Sequence, residues 1–426
     1  MDQGIDAETA APPPRIGLGS EFGKLWLASA VSNLGDGVAL VAAPLLAIAL
    51  TRDPRLVAGL AVAQNLPWLL FALPSGALAD RLDRRRIMAG ATAARAALIG
   101  GLGVAVLLGW TSLPLLYVVF FLLGVGETLF DTTAVTILPA IVPRKRLPQA
   151  NARLAGTTTV ANHFVGKPLG GLLFAVAAAS PFLLGAGDLA ASAALLLTLR
   201  GTFQPRQRAD APPTALWSEI AEGIRWLWHQ RLLRTVALTL SLLNVTFVAW
   251  NSQLVLLASE RLGLGAVGYG ALLTAHAIGA VAGSATAGRI IALLGTARVL
   301  RLAVIIEAAT PVALALATGP WMAGAALAVF GCHALVWGAV LTALRQELTP
   351  DPLRGRVEGV YRLLENGGVA PGALLGGLIA HRLGLTAPFW LAAIVGVALI
   401  PITWPLFSDS AIATARRAVV QGAASR

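Results

Sequence analysis

The chain has 426 residues, with 32 basic against 21 acidic side chains and a formal charge of +11. Charged residues make up 12% and hydrophobic residues 57%. A soluble domain is ordinarily about one quarter charged, so this composition excludes a disordered chain and leaves too little charge to cover a soluble globule. The lone cysteine, Cys332, excludes an intramolecular disulfide scaffold. The class that remains is an integral membrane protein.

Residues 1–23 open the chain with Asp2, Asp6, Glu8 and Pro12-Pro13-Pro14. Acidic residues where a signal peptide needs basic ones argue against cleavage, and the segment reads as a disordered cytoplasmic tail. Met1-Asp2 excludes N-myristoylation. Roughly 20 apolar residues cross a bilayer as a helix. Such runs are predicted at 24–50, 56–79, 87–109, 113–139, 154–178, 181–199, 233–258, 266–291, 298–318, 321–344, 358–381 and 386–407. The short gaps carry breakers: Asp53-Pro54, Ser112-Leu113-Pro114, Ser180-Pro181 and Gly319-Pro320. The runs do not alternate apolar with polar, which excludes a membrane β-barrel. The expected fold is all-α integral membrane, with twelve transmembrane helices in two six-helix pseudo-repeats.

All but six of the basic side chains fall in every second gap or in the tails. The exceptions are Arg52, Arg55, Arg261 and Arg382 on the other side, and Arg95 and Lys167 inside predicted spans. The positive-inside rule then puts both termini in the cytoplasm of a multi-pass cell-membrane protein. The net charge is thereby a topology signal, and no nucleic-acid partner is expected.

The longest gap, 200–232, separates a bundle at 24–199 from one at 233–407, with a cytoplasmic tail at 408–426. Its second part is amphipathic. Trp217, Ile220, Ala221, Ile224 and Trp228 share one face, and Ser218, Glu219, Glu222, Arg225 and His229 the other. Such a helix either lies in the membrane interface or packs on the bundle. The halves echo each other: Pro168-Leu169-Gly170-Gly171-Leu172 against Pro371 with Gly376-Gly377-Leu378, each before an outward loop. Two parallel six-helix repeats about a central cavity are a transporter architecture.

The run Gly76-Ala77-Leu78-Ala79-Asp80-Arg81-Leu82-Asp83-Arg84-Arg85-Arg86 closely resembles the major facilitator superfamily signature, with Asp83 in place of its second glycine. Asn33-Leu34-Gly35-Asp36, Gly126-Glu127-Thr128-Leu129-Phe130-Asp131, Leu138-Pro139-Ala140-Ile141-Val142-Pro143, Ala150-Asn151 and Arg354-Gly355-Arg356-Val357 resemble its drug and siderophore exporter branch, the enterobactin-exporter-like and macrolide-efflux-like proton antiporters. The resemblance covers residues 24–407. It implies a secondary transporter of the major facilitator fold, without cofactor, that exports a small molecule. Gly166, Pro168, Gly170 and Gly171 resemble the branch's fifth-helix motif, with Lys167 standing where the family has proline. The superfamily's fourth-span exporter arginine has no counterpart, since Leu122-Leu123-Gly124-Val125 fill that stretch.

Gly76, Asp80, Arg81, Arg84 and Arg85 form the expected cytoplasmic gate. Gly76 would let two helices approach closely. Asp80 would pair with the arginines and with a helix N-terminus of the other half. The alternative is that Arg84, Arg85 and Arg86 only fix topology.

Ionisable groups inside a bilayer are costly and functional by default. Asp36, midway along the first span, is expected to carry a proton, or else to be tied by Asn33 or a neighbouring helix. Glu127 and Asp131 are four residues apart and share a face; two carboxylates that close are expected to share a proton as a coupled site. Lys167 is the expected counter-charge, either as their salt-bridge partner or within a proton switch, with His163 one turn away. Protons are the expected coupling ion. Asp188 and Glu307 read as lone acids, and His276 and His333 as satisfied core histidines.

Trp250, Asn251, Gln253 and Asn244 in the seventh span, with Asn65 and Trp68 in the second, are expected to line a cavity for an amphipathic substrate, or else to be packing aromatics and amides. No metal-ligand spacing and no phosphate-binding loop occurs, and no nucleophile–base set points to an enzyme. The expected activity is proton-coupled export of a drug or secondary metabolite by a monomer. The alternatives are a siderophore or lipid exporter of the same fold, or a non-transporting membrane receptor.

Overall fold

The computed structural model describes residues 18–79, 81–201, 203, 214–350 and 353–424. The regular structure among them is helical, with no strand. In the first half, α1 (Ser20–Leu50), α2 (Pro54–Ala79), α3 (Arg84–Leu107) and α4 (Leu113–Ile141) precede a longer helical run. That run comprises α5 (Leu147–Thr158), a π-helical stretch Thr159–Gly166, and α6 (Lys167–Val176); α7 (Ser180–Leu197) closes the half. The linker helix is α8 (Thr214–His229). The second half holds α9 (Arg231–Asn251), α10 (Leu254–Leu256), a π turn Leu257–Arg261 and α11 (Ala266–Leu316). It continues with α12 (Pro320–Leu348), α13 (Arg354–Gly367), α14 (Val369–Leu383), α15 (Ala387–Thr403) and α16 (Asp409–Ala424).

Among the described residues, nine helical stretches are long and apolar enough to cross a membrane, and Ala387–Thr403 is a shorter apolar helix. The all-helical expectation holds. The breakers act where predicted. Ser112 caps α4 by accepting from the Leu115 N–H at 3.4 Å. Asp83, which departs from the family signature, caps α3 by accepting from the Arg86 N–H at 3.1 Å. Pro54 and Pro320 open their helices, where a missing N–H costs nothing. The gap predicted at 292–297 shrinks to a break inside α11 at Gly295, whose φ of 77° is one that glycine adopts without strain. The π stretch has a local cause. Pro168 has no N–H and its ring would press on the carbonyl four residues back, and the wider turn just before it relieves that clash.

Each half has its own core near the basic loops. Phe22, Met88, Ile137 and Leu196 fill one; Leu233, Trp337, Tyr361 and Phe407 fill the other. A third cluster joins Val41, Leu45, Ile48 and Val57 of the first half to Trp250, Leu254 and Phe330 of the second. Contacts between the halves gather there, at the end opposite the basic loops. A side chain at Gly377 would begin 2.9 Å from the Pro54 carbonyl, and one at Gly171 would begin 2.6 Å from the Ala266 carbonyl. Glycine on both lines lets α14 meet α2, and α6 meet α11, backbone to backbone.

The linker helix packs on the second half. Glu222 pairs with Arg356, Gly223 lies against the Arg356 backbone, and Leu227 enters the core. The side chains of residues 214–220 lie outside the described ones. The segment predicted as a C-terminal tail is helical in α16, with Ile412 buried and Arg416 Nε 2.7 Å from Glu347 Oε1.

Candidate functional site

The first half encloses a charge cluster that the apolar helices themselves must pay to keep. Arg95 on α3 is 3% exposed. Its Nη2 donates to Asp36 Oδ1 at 2.7 Å and lies 3.8 Å from Glu127 Oε2. Ser32 Oγ, one turn back on α1, donates to Asp36 Oδ2 at 3.5 Å. Asn33 does not hold Asp36; it donates to the Ser29 carbonyl. The guanidinium stem passes over Gly126 of α4, where a Cβ would begin 2.7 Å from Arg95 Cγ. Asp131 adds its charge from the next turn of α4. Asp188 approaches α1 at Gly35, where an added Cβ would lie 3.3 Å from its own, so it is not isolated. Asp36, Glu127, Arg95, Asn65 and Gln64 line a cavity of about 180 Å³. Three carboxylates, Asp36, Glu127 and Asp131, thus gather around one guanidinium.

Arg95 therefore takes the part expected of Lys167. Among the described residues, Lys167 makes no ion pair with Glu127 or Asp131. It is 7% exposed and stands at the seam between the halves. There it lines a second cavity, of about 200 Å³, with Gln64, Trp250, Asn251, Tyr269 and His276. The two cavities share Leu40 and Gln64, so they adjoin. His163 lies on the π stretch one turn before Lys167.

The fifth-helix glycines make close helix contacts. An added Cβ at Gly166 would sit 2.8 Å from Gly37 Cα, and at Gly170 2.6 Å from the Val38 carbonyl, both on α1. Gly171 faces α11 across the seam, and Pro168 follows in the first turn of α6.

The expected substrate residues divide. Asn251 lines the seam cavity and Asn65 the cluster cavity. Trp250 reaches the seam cavity but is 1% exposed, edge-on to Phe247 and Phe330 in the aromatic core. Trp68 is half-buried on α2 and lines neither cavity. Asn244 donates to the Glu365 carbonyl, tying α9 to α13. Gln253 is fully buried and donates to the Pro54 carbonyl of the other half at 3.4 Å. These last two amides hold helices together. His333 is buried among Phe330 and Trp337 with neither ring nitrogen hydrogen-bonded, so it is not the satisfied histidine expected.

Of the gate motif, Asp80 lies outside the described residues. Gly76 is not a close-approach glycine here, since an added Cβ would meet Thr132 only at 3.9 Å. Arg85 donates to the Leu199 carbonyl at 2.8 Å, and the Arg84 N–H to the Phe203 carbonyl at 3.3 Å. Those bonds tie the start of α3 to the end of the first bundle and the start of the linker. Arg81 is exposed in the turn before α3.

The opposite end carries the polar ties across the seam. Arg52 Nη1 donates to Ser259 Oγ at 2.6 Å, and His381 Nδ1 lies 3.5 Å from Asp53 Oδ1. Arg55 donates to Asp53 at 2.7 Å and holds that carboxyl down at about 2.

Two helical halves joined at one end, with a cavity on the seam and charges in the interior, define a membrane transporter. Sequence comparison agrees. The chain belongs to the transmembrane secretion effector family of the major facilitator superfamily, whose profile matches residues 18–416. An uncharacterised MFS-type transporter of Mycobacterium tuberculosis is 32% identical over 58% of this chain. The match spans 59% of that relative's length. The multidrug efflux pump Tap of Mycolicibacterium fortuitum is 27% identical over 86% of this chain and 90% of its own. The enterobactin exporter EntS of Salmonella typhimurium is 29% identical over 89% of this chain and 90% of its own. Among solved structures, a mutant of the nucleoside transporter NupG superposes with a TM-score of 0.73 at 13% identity, covering 91% of this chain and 100% of its own. A bacterial homologue of the iron transporter ferroportin, in an inward-facing state, gives 0.68 at 16% identity, covering 91% and 98%. At these identities the likeness is one of fold. The protein is a multi-pass membrane transporter and not an enzyme.

Proposed function

We propose that the chain is a proton-coupled exporter of an amphipathic small molecule, working by alternating access as a monomer with twelve spans and both termini cytoplasmic. The observation that carries this reading is the cluster of Asp36, Glu127 and Asp131 around the buried Arg95. A proton arriving on Asp36 weakens its bond to Arg95 and frees the guanidinium for Glu127 and Asp131. The helices α1, α3 and α4 are thereby coupled to protonation. α1 also carries the glycine contacts to α6, which meets the other half.

On this reading the joined end, poor in basic loops, faces outward, as it would in an inward-facing transporter. The names of the relatives Tap and EntS support export of a drug-like or siderophore-like cargo. The test is transport in proteoliposomes. Asp36→Asn is expected to abolish export driven by a pH gradient while the protein remains folded. Undiminished transport by that variant overturns the assignment.

A further inference from the structure

We infer that Lys167 anchors an anionic group of the cargo, so that the seam cavity takes an aromatic organic acid. This deepens the transporter reading and rests on it. Lys167 is more than nine-tenths buried. Among the described residues its ammonium has no hydrogen-bond or ion-pair partner. No carboxylate lines its cavity of about 200 Å³. The nearby acids gather instead around Arg95, in the adjoining cavity. A buried ammonium without a counter-charge is costly, and this chain keeps one where cargo must pass.

The rest of the cavity suits the same ligand. Phe247, Trp250 and Tyr269 contribute aromatic lining, and Gln64 and Asn251 contribute amides. The walls come from both halves: α2 and α6 from the first, α9 and α11 from the second. The α6 backbone itself touches α11, with the Lys167 carbonyl 3.3 Å from where a side chain at Gly270 would begin. An anion held by Lys167 and stacked on the α9 and α11 aromatics bridges the seam. Its release accompanies separation of the halves. Two histidines, His163 and His276, also face the lysine. Neither adds negative charge, so the anion must come from the ligand.

The test uses the full chain in detergent and two probes of equal shape, 2-naphthoate and its uncharged amide, 2-naphthamide. Binding is read by quenching of tryptophan fluorescence. The wild-type protein is expected to bind naphthoate at least tenfold more tightly than the amide. Lys167→Met is expected to erase that preference, and Lys167→Arg to retain most of it, with size-exclusion profiles confirming folding. Equal affinities in the wild type, no binding of either probe, or a preference surviving in Lys167→Met overturns the proposal. The wild-type comparison needs no variant, so a misfolded substitution leaves it decisive. The titration also needs no pH gradient. A chain that moves no cargo in proteoliposomes yet prefers naphthoate keeps the anion site and loses the export reading.

Discussion

Replacing Arg95 by glutamine tests the charge cluster at its centre. The side chains of Arg95 and Asp36 are 4% and 24% exposed at a separation of 2.7 Å. Removing one partner of a buried pair costs about 3–5 kcal/mol, mostly because the other charge is stranded. Water still reaches Asp36, so the low end applies, about 3 kcal/mol. Glu127, at 54% exposed, adds no more than about 1 kcal/mol. Asp36→Asn alone leaves Arg95 with Glu127 as a distant partner and is expected to cost about 2 kcal/mol. The double variant strands neither charge. It is expected to be more stable than the sum of the single losses by about 2 kcal/mol. Denaturant unfolding of the full chain in detergent, followed by tryptophan fluorescence, measures all four corners of the cycle. A coupling below about 0.5 kcal/mol means the two residues act independently, and refutes the pairing on which the proton mechanism depends.

Gly126→Ala places a Cβ 2.7 Å from Arg95 Cγ and is expected to destabilise the protein by about 1–3 kcal/mol; the loss should shrink when Arg95 is also shortened. Gly171→Ala meets the Ala266 backbone across the seam and is expected to open the far end. The reporter is a cysteine replacing Gln64 in a Cys332→Ala background, which should label faster with an impermeant reagent added outside; unchanged labelling would show that this contact does not seal. The folded Asp53 carboxyl titrates at about 2, below the roughly 3.9 of an unfolded aspartate. Its stabilising contribution is therefore complete above about pH 4 and is lost as pH falls through about 2. Asp53→Asn removes the carboxyl that faces His381 across the seam and should speed outside labelling at both pH 5.5 and pH 8; unchanged labelling would show that this contact does not seal.

The helices were legible because membrane crossing imposes length and apolarity together. Predicted ends such as 113–139 and 358–381 lie within a few residues of Leu113–Ile141 and Arg354–Leu383. Gly295 was harder to read, since a single left-handed residue replaces a loop. Asp36, Glu127 and Asp131 stood out because a bilayer excludes carboxylates. Their partner Arg95 was read only as a basic residue inside a span and was not joined to them. Arg95 lies 59 residues from Asp36, and only helix packing brings α3 against α1 and α4. Gly126 beside Glu127 was a second signal, a missing side chain where an arginine stem crosses. Lys167 was assigned by type of charge, but it faces the seam and not α4. The amides of Asn244 and Gln253 bond to backbone carbonyls, which leave no trace in sequence. Arg52 and Asp53 were missed as ties because each is unremarkable in its loop, and His381 because it is unremarkable in the last turn of α14.

Coupling itself is the central claim, and it is measured by following cargo and protons in the same proteoliposomes. Wild-type protein is expected to accumulate a fluorescent amphipathic probe against its gradient when a pH gradient is imposed, with protons entering the probe-exporting compartment in step. Asp36→Asn is expected to retain downhill exchange of the probe but to lose both uphill accumulation and the proton flux. Uphill accumulation that persists in Asp36→Asn, or cargo movement by the wild type with no accompanying proton flux, would contradict the account.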